Sequence, residues 1–148
     1  WWDIMDYTSL LIKAIISSIL IAISVIDIKT KKIPNFLILI FMLVWIVIAS
    51  LKLIDTSTSV YGFAVGGLLL YITALATNDD IGGGDVKLVA VSGLYLGFPG
   101  IMYATLYGFG LAALISLVLI KLKKLNKKDY IPLGPFISLG IIIQLILK

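Results

Sequence analysis

The sequence predicts an all-α protein: a polytopic membrane helical bundle of six transmembrane helices, the fourth of them short. Three observations carry that reading. Hydrophobic residues fill 61% of the 148 positions and charged residues only 14%, where soluble domains average about 25% charged. Apolar runs long enough to cross a bilayer, roughly 20 residues each, recur five times. The polar residues gather in short connections between them. Residues 1–148 read as a single transmembrane domain, with no internal repeat, low-complexity tract or soluble segment.

The long runs are Tyr7–Ile26, Ile33–Leu51, Val60–Asn78, Gly100–Ile120 and Tyr130–Leu147. No basic region followed by a small-residue cleavage site marks the first run, so it reads as a span and not a removed leader. A further run, Val86–Phe98, is only about 13 residues, or roughly 20 Å of helix. It is expected to start below the membrane surface, at the polar cluster before it. Lys13 is the one charge inside the long runs, near an end where its ammonium can snorkel.

Charge sets the orientation. Lys29, Lys31 and Lys32 follow the first run, Lys87 follows the third, and Lys121, Lys123, Lys124, Lys127 and Lys128 follow the fifth. Lys52 and Lys148 fall on the other side. The lysine-rich side is expected to be cytoplasmic, in a plasma or inner membrane, with both termini outside. Trp1, Trp2, Tyr7 and Tyr61 then fall near the outer interface as an aromatic belt.

Composition narrows the chemistry. Every basic residue is Lys and every acidic residue is Asp; Arg, Glu, His and Cys are absent. Disulfides, thiolate sites, Cys nucleophiles and most zinc and His-based catalysis are thereby excluded. No metal site or cofactor is expected. The lysines serve topology and contact with anionic lipid, not nucleic acid.

Two polar segments stand out. One is Asp27-Ile28-Lys29-Thr30-Lys31-Lys32-Ile33-Pro34-Asn35; the other is Asn78-Asp79-Asp80-Ile81-Gly82-Gly83-Gly84-Asp85-Val86-Lys87. Under the topology above, Asp27 and Asp85 lie at one membrane depth, at the ends of separate helices. An acid at the membrane boundary is a functional hypothesis by default. Two together suffice for aspartic protease chemistry, one taking a proton from water while the other polarises the scissile carbonyl. The plainer alternative is a pair of interfacial charges matched by Lys29 and Lys87. The glycine run favours chemistry, because it strips side chains from the approach to Asp85.

At these residues the chain resembles the type IV prepilin peptidase family, including the preflagellin peptidases, of the GxGD aspartyl type. Gly82-Gly83-Gly84-Asp85 fits the GxGD motif. Asp27-x-Lys29 running to Pro34-Asn35, Asp85-Val86-Lys87, Gly93-Leu94-Tyr95-Leu96-Gly97 and Ile131-Pro132-Leu133-Gly134-Pro135-Phe136 fit in family order. The resemblance implies an aspartic-type endopeptidase with catalytic Asp27 and Asp85, and with Gly82, Gly84, Lys29, Lys87, Pro34 and Asn35 as supporting motif residues. It implies prepilin or pilin-like substrates, cut at the cytoplasmic face after a short basic leader ending in Gly, in pilus assembly or protein secretion. Long bacterial members carry a further region, often with paired Cys motifs, associated with methyl transfer. The match here is to the short, peptidase-only form, with methyl transfer not expected.

The rival readings are a small proton-coupled transporter using the same acids, and a non-catalytic pilus or secretion assembly subunit. Depth separates the first, since transport acids lie near the midplane. Asp79 and Asp80 are candidates to receive the basic leader. Gly62/Gly66 and Gly93/Gly97 are small-residue pairs suited to close helix packing. Gly134-Pro135 reads as loosened backbone that admits an extended substrate. Helix polarity, with Asp27 ending one helix and Asp85 opening another, points to Asp85 as the base and Asp27 as the protonated acid.

Overall fold

The structure is a computed structural model that describes residues 2–77, 81–122 and 131–148, with side chains from Tyr7 onward. Its described residues form six α-helices and no strand: α1 Trp2–Thr30, α2 Asn35–Ser50, α3 Thr56–Ala76, α4 Gly83–Leu96, α5 Gly100–Lys121 and α6 Gly134–Leu147. Tyr7–Thr30 of α1, together with α3 and α5, is long and apolar enough to cross a membrane; α2 and α6 are shorter apolar helices. The outward faces carry large apolar side chains, among them Leu10, Leu11, Ile21, Leu68, Ile72, Leu106 and Leu117. In water such a surface would be a liability; against acyl chains it is the expected one. The fold is the predicted helical membrane bundle.

The helix ends differ from the apolar runs, and polar residues explain why. Asp55 caps α3, its Oδ2 accepting the Thr58 N–H at 3.1 Å, so α3 starts before the apolar run does. α1 continues past Ile26 through Asp27 to Thr30 and stops where Lys31 turns to φ 52. Pro34 is extended, φ −70 and ψ 128, and α2 begins after it at Asn35. α4 begins at Gly83, so Asp85 lies inside its first turn.

α4 is the centre of the bundle. Every residue from Leu88 to Leu96 is buried, and the helix packs against α2, α3, α5 and α6. A helix of 14 residues surrounded on all sides need not meet lipid along its length. Its closest neighbour is α3. Gly62 and Gly93 let the two backbones touch: a methyl on either would overlap the other's carbonyl oxygen, as the small-residue pattern anticipated. α1 is held by α6 and α2, through a buried stripe of Ile16, Leu20 and Ile23.

Candidate active site

Asp27 continues that stripe. Spacing of three to four residues puts Ile16, Leu20, Ile23 and Asp27 on one face of α1, and Asp27 is only 3% exposed. Asp85 is 4% exposed on the inner side of α4. The two carboxyls are close enough for the charge of Asp27 to act on Asp85. Both lie near one end of the bundle: Asp27 is within the last turn of α1 and Asp85 within the first turn of α4.

A third element completes the arrangement. α6 starts at Gly134, and the Gly134 main-chain N–H donates to Asp27 Oδ2 at 3.0 Å. There is no room there for a side chain, since a Cβ would lie 2.6 Å from that oxygen. This corrects two expectations. Gly134 is packed on the acid, so its backbone is not a loosened entry for substrate. Asp27, although near the carboxyl end of α1, also faces the amino end of α6, so helix polarity no longer separates the two acids. Asp85 lies near the Gly82 amide, yet its Oδ1 is buried with no hydrogen-bond partner among the described residues.

The supporting motif residues divide by role. Lys87 Nζ donates to Asn35 Oδ1 at 2.9 Å, so these two form one tie between α4 and α2, and Lys87 is not paired with Asp85. Pro34 accepts the Leu37 N–H at 3.1 Å and sets the entry of α2. Gly82 is the N-cap of α4. A Cβ on Gly84 would lie 2.9 Å from Ile33 Cβ, whereas one on Gly83 would meet nothing within 4 Å. Lys29 is exposed in the last turn of α1. Asp79 and Asp80 lie outside the described residues, as do Lys123, Lys124, Lys127 and Lys128 and the side chains of Trp1 and Trp2.

Beside this end of α4 a cavity of about 380 Å³ opens toward α3, lined by Tyr71, Leu75, Gly82, Gly83, Val86 and Lys87 among others. The glycine run thus leaves main chain accessible next to Asp85. Sequence reasoning missed one contact here, the Gly134 amide on Asp27; the signal was present in the Pro132-Leu133-Gly134-Pro135 block but says nothing of its partner. No group of three or more potential metal ligands occurs among the described residues.

Comparison with known proteins gives the family. Residues 14–117 match the model of the type IV leader peptidase family; that span contains Asp27 and Asp85 and stops short of Gly134. A Prepilin leader peptidase/N-methyltransferase of Bacillus subtilis is 36% identical over 130 residues, covering 85% of this chain and 51% of that protein. Proteins of the same name from Stutzerimonas stutzeri and Vibrio cholerae are 27% identical over 127 residues and 26% identical over 151, covering 44% and 58% of their lengths. The chain therefore spans about half the length of the curated relatives it matches. No solved structure matches it. A family match over residues 14–117, well over half of the chain, establishes that the chain belongs to the type IV leader peptidase family.

Proposed function

We propose that this chain, as a single transmembrane domain, is a membrane aspartyl endopeptidase that removes the short basic leader from prepilin or pilin-like precursors. Water is activated between Asp27 and Asp85, on the cytoplasmic face of the membrane. The observation that carries the reading is the burial of two carboxyls from separate helices at one end of the bundle. Two such acids share a proton, because both cannot ionise cheaply in dry surroundings. That leaves one carboxylate to accept a proton from water and one carboxyl to polarise the peptide carbonyl.

Position supports the protease over the transporter. The pair lies at one end of the bundle, where an extended peptide can approach from outside the hydrocarbon region; the cavity beside α4 is lined by the neighbouring Gly82, Gly83 and Val86 but by neither aspartate. The family and the curated relatives support prepilin as the substrate class. Those relatives are also named as N-methyltransferases; the aspartate geometry speaks for the peptidase activity alone. Asp79 and Asp80, next in sequence to the glycine run, are proposed to meet the leader's lysines and arginines.

The test is cleavage of a prepilin-type precursor by the purified protein, read by mass. Asp27→Asn and Asp85→Asn should each abolish cleavage while the protein stays folded and inserted. Full activity in either variant would end the aspartyl-protease reading.

A further inference from the structure

We infer that Gly134 is a positioning residue of the aspartate pair: its main-chain N–H holds Asp27 as the carboxylate that takes the proton from water, leaving Asp85 as the carboxyl that carries the shared proton. This rests on the peptidase reading above and assigns the two roles within it.

Both acids are nearly inaccessible, at 3% and 4% exposed, and each lies near a helix amino end, so exposure and helix polarity do not divide them. Each also lies near a main-chain amide, Gly134 for Asp27 and Gly82 for Asp85, but of the two only Asp85 keeps a buried oxygen with no partner among the described residues. Asp27 Oδ2 receives the Gly134 N–H at 3.0 Å, from the first residue of α6, one of the four amides a helix leaves free at its start. A donated N–H at a positive helix end favours a negatively charged oxygen. Asp85 Oδ1 is buried and bare among the described residues. An ionised carboxylate with an unmet oxygen in dry surroundings is costly, whereas a protonated one carries no net charge there. The fit at Gly134 is specific to glycine, because a Cβ would lie 2.6 Å from Oδ2.

Among the described residues, surrounding charges do not offset the assignment. α6 has no ionisable side chain from Gly134 to Leu147, and α2 none from Asn35 to Ser50. On α4, Lys87 is bonded to Asn35 and Tyr95 to the Phe41 carbonyl. On α1, Lys29 is exposed.

The reaction then runs as follows. The water oxygen bonds to the scissile carbonyl carbon as its proton passes to Asp27, and the Asp85 proton passes to the carbonyl oxygen. Next the Asp27 proton goes to the departing amide nitrogen, the C–N bond breaks, and a gem-diol hydroxyl returns a proton to Asp85. One water is consumed and both acids end as they began.

The experiment measures kcat and KM against pH for the full chain, on a precursor peptide with a basic leader ending in Gly. Gly134→Ala should lower kcat about 100-fold, change KM little, and move the acid limb of the profile upward by about one pH unit. Gly110→Ala, where a Cβ meets nothing within 4 Å, should match wild type. A folded Gly134→Ala protein with an unmoved acid limb overturns the inference. Infrared difference spectra decide it independently of that variant. At the pH of maximal activity, Asp27→Asn should remove an ionised carboxylate band and Asp85→Asn a protonated carboxyl band; the reverse pattern overturns the assignment. The reversal, with both variants inactive, sinks this inference alone, whereas cleavage retained by either Asn variant sinks the peptidase reading beneath it.

Discussion

The Lys87 ammonium donates to the Asn35 side-chain oxygen at 2.9 Å, across 52 positions of sequence. It ties the first turn of α4 to the start of α2, two residues beyond Asp85. One turn away, Ile33 packs on Gly84. The connection that follows Asp27 is thus fastened to the helix that carries Asp85, and α6 is fastened to Asp27 itself through Gly134. Asp27 is held directly by another helix, and the helix that carries Asp85 is held near its start by α2 and Ile33, which is what a pair drawn from two separate helices requires if its spacing is to stay fixed.

The Lys87–Asn35 tie should be measurable but small. Lys87 is exposed, so water competes for its bond. A double-mutant cycle of Lys87→Met and Asn35→Ala, read by thermal unfolding in detergent, should give a coupling of about 0.5–1 kcal/mol. Strictly additive single changes would show that the two side chains do not act together.

The two glycines beside Asp85 should respond oppositely to the same change. Gly84→Ala forces its new methyl against Ile33 and should cost about 1–3 kcal/mol by overpacking, with loss of cleavage. Ile33→Ala, added to it, restores room and should recover part of that stability. Gly83→Ala points into open space, and should be neutral or stabilise the first turn of α4 by up to about 1 kcal/mol. Equal damage at both positions would contradict the packing described.

Asp55 gives a pH prediction away from the site. Donation from Thr58 holds its carboxyl below the ordinary value of 3.8. A group with a lowered value in the folded state contributes stability that is present above its unfolded value and lost as pH falls through the folded one. Asp55→Ala should therefore lower the melting temperature at neutral pH, and the gap from wild type should close as pH is taken below 3.8. A gap that stays constant into acid would mean that the carboxylate is not what caps α3.

What was legible in the sequence divides by the kind of atom involved. The helical bundle and the short central helix follow from run lengths, because lipid leaves the backbone few alternatives. Asp27 and Asp85 stand out because charge is rare in this background. The Gly134 amide carries no side-chain signature, and nothing local says that a main-chain donor near the end of the chain will meet an acid 107 positions earlier. Lys87 and Asn35 were each visible as polar residues near the acids, but the natural guess for a lysine beside an aspartate is an ion pair. The bond to Asn35 depends on how α2 and α4 are docked. The missed helix starts have the same origin: hydropathy marks where apolar surface begins, while Asp55 capping and the Gly82 turn decide where the helix does.

Orientation yields the last prediction. α4 runs from Asp85 at one end of the bundle to Leu96 at the other, and there Lys148 Nζ donates to the Leu96 carbonyl at 3.1 Å. Lys148 and the acids therefore mark opposite ends. Lys29, Lys31, Lys32 and Lys87 share the acids' end by sequence position, and Lys121 closes α5 just before the further lysines of 123–128. Lys52 and Asp55 lie in the connection between α2 and α3, at the Lys148 end. The lysine bias proposes the acids' end as cytoplasmic. The chain has no Cys, so single Cys substitutions report without background. Ser57→Cys, at an exposed position, should react with an impermeant thiol reagent applied outside intact cells. Asn126→Cys should react only after the cells are opened. Labelling of 126 from outside, with 57 protected, would invert the bundle and put the aspartate pair on the wrong face for a cytoplasmic leader.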